Sequence, residues 1–403
     1  MQGGEWQVDL HFDESYKRFR AQVRSFLDAH RADFPKPHGG RRPPPETLAW
    51  QRLLVEQGFV GRTVPTVYGG YGAQPDLLQS LIIAEEFTRA GITQGLTNQG
   101  VGMLVPTLLE AGSEEQKRRW IGPTLRGEIL WCQGYSEPDA GSDLASLRTS
   151  AIEDRADFVI NGQKIWTSGA QFADMMFCLV RTEPDAPKHL GISYLYFDMA
   201  TPGIEVRPLT TMTGEAEFNE VFFTDVRVPR SQIVGERGQG WRVANATLKH
   251  ERGMLGDPNA ALARLGRLTS LLGSETRDGL PLSDDPLLVD RLMQLQGQAL
   301  ALKYHGERLL TEQVRGDPPG LAAMIVKLRA TELNHEIQAL GIDSLGEIGS
   351  LYEDGAHLRD ASHWQERYMI DLGLIIGGGT AQIQKNIIAE RGLGMPREPK
   401  LDR

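Results

Sequence analysis

The sequence predicts an α+β protein in three segments: an N-terminal helical domain over 1–127, a small β-sheet or barrel domain over 128–235 and a C-terminal four-helix bundle over 236–403. Three observations lead there. Apolar residues recur at steps of three and four in both outer segments, the period of a helix with one buried face. The middle segment carries short β-branched and aromatic runs punctuated by turn residues. The two kinds of element are segregated along the chain, whereas a doubly wound sheet requires alternation of strand and helix.

In the first segment, "DESYKRFRAQVRSFLDAH" puts Tyr16, Phe19, Val23 and Phe26 on one apolar stripe. "PKPHGGRRPPP" breaks the period, and a helix resumes at "PETLAWQRLLVEQGF" with prolines at its start and Gly58 at its end. Ser113, followed three residues later by Gln116, reads as a capping box. In the middle segment, Asn161-Gly162 within "ADFVINGQKIWTS" predicts a hairpin turn, and "GISYLYFDM", "GIEVRPL" and "NEVFFTDVRVP" continue the strand series. The last segment is dominated by two long periodic stretches, "DDPLLVDRLMQLQGQALALKYHGERLL" and "GLAAMIVKLRATELNHEIQAL".

A chain of 403 residues with 40% hydrophobic and 24% charged content has ample material for cores. A net charge of -10 argues against nucleic-acid binding, which calls for a basic surface. No stretch approaches the roughly 18 apolar residues of a membrane span. Cys132 and Cys178 show no metal-ligand spacing, and "MQGGEWQVDLHFDES" lacks the apolar stretch of a secretion signal, so a cytoplasmic location is expected.

Several chemistries fail on their motifs. "IIGGGTAQIQ" lacks the Gly-Lys-Ser/Thr ending of a phosphate-binding loop. Pro138 in "GYSEP" stands where a nucleophile elbow needs glycine. His250-Glu251 has no second histidine four residues on, as a zinc-protease helix would. What remains is "WCQGYSEPDAGSDLASLRTSA", rich in small hydroxyl residues and glycine turns that let backbone N–H groups approach an anionic or carbonyl-rich ligand.

"GYSEPDAGSD", then "NGQKIWTSG" and, near the C-terminus, "GTAQIQKNIIAERGLGMPRE" resemble the acyl-CoA dehydrogenase family in sequence, order and spacing, and "FNEVFFTDVRVPRSQIVGERGQGW" extends the resemblance over nearly the whole chain. The resemblance implies FAD as cofactor and an acyl-CoA thioester as substrate. It implies that Tyr135 and Ser136 bond the isoalloxazine edge, that Gly141 and Ser142 approach the pyrophosphate, that Trp166 and Ser168 flank the ring, and that Thr380 and Gln382 complete the site. Taken singly, Trp166 reads equally as a core residue and the glycines as turns.

Removal of a proton α to a thioester demands a base within hydrogen-bond reach in a dry site. Many family members carry that glutamate immediately before the Gly-Thr of the C-terminal motif, where this chain has Gly378. A subset carries it on a helix of the C-terminal bundle, and "GWRVANATLKHERGML" places Glu251 at the matching position, beside Arg252 as a substrate-binding residue. Alone, Glu251 would read as a solvated helix charge; the loss at 378 and the gain at 251 together favour the base. The backbone N–H of Gly378 is the expected donor to the thioester carbonyl. The resemblance further implies a branched or bulky acyl group, an electron-transferring flavoprotein as acceptor and a tetramer.

Two segments depart from the family pattern. Arg277, in "GSETRDGLPLSDDP", is the candidate for an otherwise unrecognisable arginine motif, and "DSLGEIG" places Asp343 and Glu347 at usual glutamine and glycine positions. An acid beside a pyrophosphate is unfavourable. Either the pyrophosphate is held differently, or the chain is one subunit of a mixed tetramer; a flavin oxidase or monooxygenase and a non-catalytic partner subunit stay open beside the dehydrogenase.

Overall fold

The structure, a computed structural model, describes residues 12–36, 42–96, 98–255, 258–316, 322–352, 357–360 and 363–397. It divides into two units, Phe12–Glu251 and the residues from Arg252 onward.

The first unit begins with helices α1 (Glu14–Ala29), α2 (Pro45–Glu56), α3 (Leu77–Ala90), α4 (Val105–Ala111) and α5 (Glu114–Leu125). The α1 stripe faces inward as its period requires: Val23 and Leu27 are buried, with Tyr16, Phe19 and Phe26 partly buried against the same core. Ser113 and Gln116 form the expected capping box at the head of α5. Glu86 of α3 fastens α3 to α1. Its buried carboxylate accepts from Arg20 and Arg24 at 3.2 and 2.8 Å and from Arg89 at 2.6 Å. These hydrogen bonds, Arg24's foremost, outweigh burial and hold the Glu86 carboxyl at a pKa of about 2.

Seven strands follow: β1 (Trp131–Gly134), β2 (Ser150–Asp154), β3 (Asp157–Lys164), β4 (Met175–Arg181), β5 (Ile192–Asp198), β6 (Ile204–Leu209) and β7 (Phe218–Pro229). They form one sheet in the order β1-β4-β2-β3-β7-β6, with β5 paired to β4. β1 and β2 meet β4 in parallel, and the other pairs are antiparallel. The two-residue period of β4 divides it between two cores. Met175, Phe177 and Leu179 join the core of the N-terminal helices, while Met176, Cys178 and Val180 join a second core with Phe158, Ile160 and Phe197. Helices before residue 128 and one face of the sheet thus share apolar packing.

The hairpin turn expected at Asn161-Gly162 falls elsewhere. Arg155 and Ala156 join β2 to β3, with Arg155 at φ 58°. Asn161 and Gly162 lie inside β3, where its register against β7 shifts between Ile160 and Gly162. The Asn161 amide donates to the Asp225 carboxylate at 3.0 Å and accepts from the Asp225 N–H at 2.9 Å, so it ties a bulge instead of making a turn. Gly162 is needed because a Cβ there would come within 2.7 Å of Thr149 Cα.

Helix α6 (Gly240–Leu255) runs through the boundary between the units. The second unit continues with α7 (Pro258–Ser274), the short strands β8 (Thr276–Arg277) and β9 (Leu280–Pro281), α8 (Pro286–Arg315), α9 (Ala322–Leu345), α10 (His363–Ile376) and α11 (Ala381–Ile387). Helices α7 to α10 pack as a bundle around Leu268, Leu292, Leu333, Ile337, Leu340 and Trp364.

Candidate active site

In the first unit the segment after β1 and the segment after β3 lie side by side. The Ile165 N–H donates to the Ser136 carbonyl at 2.9 Å, and the Thr167 N–H donates to the Asn219 carbonyl of β7 at 3.1 Å. Ser136, Trp166 and Ser168 therefore occupy one edge of the sheet. Trp166 is 58% exposed, which excludes the core reading. Its φ is 60°, a left-handed conformation that costs an L-residue roughly 1–2 kcal/mol. The indole meets Phe218 edge-on with ring centroids 5.9 Å apart. An exposed aromatic held on a strained backbone is an outlier of the kind found at ligand clamps.

Tyr135 behaves differently from its neighbour. Its ring is buried in the core, edge-on to Phe177 and Tyr194, so what the residue offers at this edge is its backbone. Ser136 is partly buried, and among the described residues its N–H has no acceptor.

The loop between Ser136 and β2 is tethered on every side. Lys164, fully buried, donates to the Glu137 carboxylate at 2.8 Å and to the Tyr135 carbonyl at 3.1 Å. Glu137 also accepts from the N–H groups of Arg148 and Thr149, at 2.6 and 2.9 Å, closing the loop on itself. Burial pushes the Glu137 carboxyl up, but the Lys164 charge and these donors together bring it below the ordinary carboxylate value. Farther along, Arg181 donates to the carbonyls of Ala145 and Lys188, each at 2.7 Å, and Lys188 pairs with Asp143 at 2.7 Å. Gly141 and Ser142 stand exposed at the tip, and a Cβ at Gly141 would meet nothing.

In the second unit the three glycines form a turn between α10 and α11. Gly378 and Gly379 have φ of 61° and 92°, and both are thereby better suited to glycine than to any side chain. The turn is clamped from within. Buried Lys327 of α9 donates to the carbonyls of Ile375 and Gly379 at 3.1 and 2.8 Å, and the buried Gln384 amide lies 3.5 Å from the Gly378 carbonyl. Among the described residues the Gly378 N–H has no acceptor. Thr380 caps α11, its hydroxyl accepting from the Ile383 N–H at 3.1 Å, and Gln382 is exposed one residue into that helix.

Arg277 lies apart from this turn, in a groove with Asp285, Asp290, Arg291, Asp343 and Ser350. The structure brings together the two departing segments, and both arginines there are engaged. Arg277 reaches Asp285 at 3.7 Å and the Ser344 carbonyl at 3.3 Å, while Arg291 pairs with Asp343 at 2.9 Å. Glu251 and Arg252 fall within α6, and their side chains lie outside the described residues.

Sequence reasoning missed Lys164, Glu137, Lys327 and Gln384. For Lys164 one signal existed: it ends a strand whose Phe158 and Ile160 alternate inward, which puts a lysine at a core position.

Three family models match the chain: "Acyl-CoA dehydrogenase, N-terminal domain" over 13–128, "middle domain" over 132–226 and "C-terminal domain" over 238–393. Acyl-CoA dehydrogenase IpdE1 of Mycobacterium tuberculosis is 37% identical over 397 residues, covering 96% of this chain and 100% of that protein. Among solved structures, the Tcur3481-Tcur3483 steroid ACAD superposes with a TM-score of 0.81 at 28% identity, covering 97% of this chain and 100% of that one. The ChsE4-ChsE5 complex from Mycobacterium tuberculosis superposes with a TM-score of 0.81 at 29% identity and the same coverage.

Proposed function

The chain belongs to the acyl-CoA dehydrogenase family of oxidoreductases, and from that premise we propose that it removes the α and β hydrogens of a bulky or branched acyl-CoA with FAD as cofactor. The observation that carries the cofactor assignment is Trp166, exposed on a left-handed backbone beside the acceptor-free N–H of Ser136.

The residues of that edge fit a flavin. Backbone at Tyr135 and Ser136 would bond the ring edge, Trp166 and Ser168 would flank it, and Gly141 and Ser142 at the tethered loop tip would let backbone approach the diphosphate. By the family resemblance, Thr380 and Gln382 are further cofactor contacts. When bound, FAD supplies the acceptor for the β-hydrogen as hydride. Glu251 takes the α-proton, and the Gly378 N–H donates to the thioester carbonyl, where negative charge develops; one preorganised donor of this kind contributes about 3 kcal/mol. The product is the trans-2-enoyl thioester. We assign reoxidation to an electron-transferring flavoprotein and the location to the cytoplasm; among the described residues no helix is long and apolar enough to cross a membrane.

The bulky substrate is inferred from Gly377–Gly379, which place no side chain at the turn, and from similarity to a steroid ACAD. Turnover of straight-chain, branched and alicyclic acyl-CoA thioesters tests it. Activity confined to short straight chains would overturn the substrate assignment and leave the reaction class standing.

A second reading concerns assembly, and the Arg277 groove favours it. Three carboxylates, Asp285, Asp290 and Asp343, face two arginines there, so the groove lacks the net positive charge a diphosphate needs. We propose that the chain works in a mixed tetramer, where a related subunit supplies the diphosphate contacts that this groove does not, as opposed to a homotetramer; one of the similar structures is likewise a complex of two differently named chains. Flavin stoichiometry decides: about one FAD per chain in the homomer would refute it, and uptake only with a co-expressed partner would support it.

A further inference from the structure

We propose that Lys164 and Glu137 form a positioning and polarising pair for the flavin edge, an inference that rests on the cofactor assignment above. Lys164 is 0% exposed and touches the edge through a single peptide unit. Its ammonium donates to the Tyr135 carbonyl at 3.1 Å, and the N–H at the other end of that peptide belongs to Ser136. Among the described residues this N–H has no acceptor. A cation on the carbonyl oxygen draws electron density through the amide and makes the N–H a stronger donor, an effect enlarged in a buried setting where no water screens it.

The pair is oriented. The Glu137 carboxylate accepts from the Lys164 ammonium at 2.8 Å and from the N–H groups of Arg148 and Thr149 at 2.6 and 2.9 Å. The carboxylate is thus also met by two loop N–H groups, while the ammonium is also bonded to the carbonyl of the Tyr135–Ser136 peptide. Stability alone does not account for the arrangement, since a well-packed apolar pair of similar volume commonly stabilises a fold as well as a buried ion pair does. Electron uptake by a flavin adds negative charge at the ring edge, so a donor polarised by Lys164 favours the reduced cofactor over the oxidised one.

The experiment uses the holo-protein, with its partner subunit if flavin is taken up only then, and compares wild type with Lys164→Met and with the double variant Glu137→Gln/Lys164→Met. The double variant removes both charges while keeping the shape, so it folds even if the single variant, with an unpaired buried carboxylate, does not. FAD dissociation constants are measured for oxidised and reduced cofactor, together with the two-electron midpoint potential. We expect the variants to lose about tenfold in the preference for reduced over oxidised flavin, a downward shift of about 30 mV. A folded, flavin-loaded double variant with an unchanged potential would overturn the polarising role and leave the cofactor assignment intact. A wild-type assembly that takes up no flavin would overturn both.

Discussion

Replacing Trp166 by glycine separates what this residue does for the fold from what it does for the cofactor. At 58% exposure, the indole keeps about 100 Å² of its roughly 250 Å² from water, worth about 2.5 kcal/mol at about 25 cal/mol per Å². Loss of the edge-on contact with Phe218 adds about 1 kcal/mol. Against this, glycine relieves the left-handed backbone at φ 60°, returning roughly 1–2 kcal/mol. The net cost is about 2 kcal/mol, a fall in melting temperature of roughly 5 °C for a unit the size of Phe12–Glu251. The Trp166→Gly chain should therefore fold, as judged by circular dichroism and thermal unfolding, while visible absorption of the assembly it forms with its partner subunit shows most of the flavin lost. Trp166→Phe, which keeps an aromatic face, should retain an intermediate amount. A Trp166→Gly protein with full flavin content would refute the cofactor role, and one that fails to fold would refute the energetic reasoning.

Glu251→Gln should retain flavin but slow substrate-dependent bleaching by about 10²–10⁴-fold, the usual worth of a positioned base; stopped-flow absorbance showing near-normal bleaching would remove Glu251 from that role. Thr380→Ala deletes the cap of α11, so about 1 kcal/mol of local stability should be lost, visible as faster hydrogen exchange at the Ile383 amide; unchanged exchange would show that the cap is not needed. Glu86, with a folded pKa of about 2 against an ordinary value of 4.5, contributes stability that is present above about pH 4.5 and lost as pH falls toward 2. That contribution amounts to about 3 kcal/mol. Acid unfolding should be steeper across this window in the wild type than in Glu86→Gln, and parallel acid curves would show that the three arginines do not hold the carboxylate as drawn.

Whatever could be read within a few residues was legible in the sequence. The α1 stripe, the Ser113/Gln116 capping box and the proline-led start of α2 depend on neighbours three or four positions away, and they stand where periodicity places them. The order of helices, sheet and helices followed from the same short-range periods, as did the absence of a glutamate at Gly378. Tertiary structure decided what depends on which distant segments meet. Asn161-Gly162 carries the local signature of a turn, yet its side-chain partner, Asp225, lies on β7, and that pairing makes it a bulge. Strand β4 shows no alternation because apolar cores cover both its faces. Glu137 and Lys164 are ordinary charges in the sequence and a buried ion pair in the fold. Arg277 and Asp343 each read as a departure from a pattern, and only the fold sets them in one groove. Local propensity is written in consecutive residues, whereas burial, and with it the strength of a charge or the strain on a backbone, is a property of whatever surrounds a residue once the chain has closed upon itself.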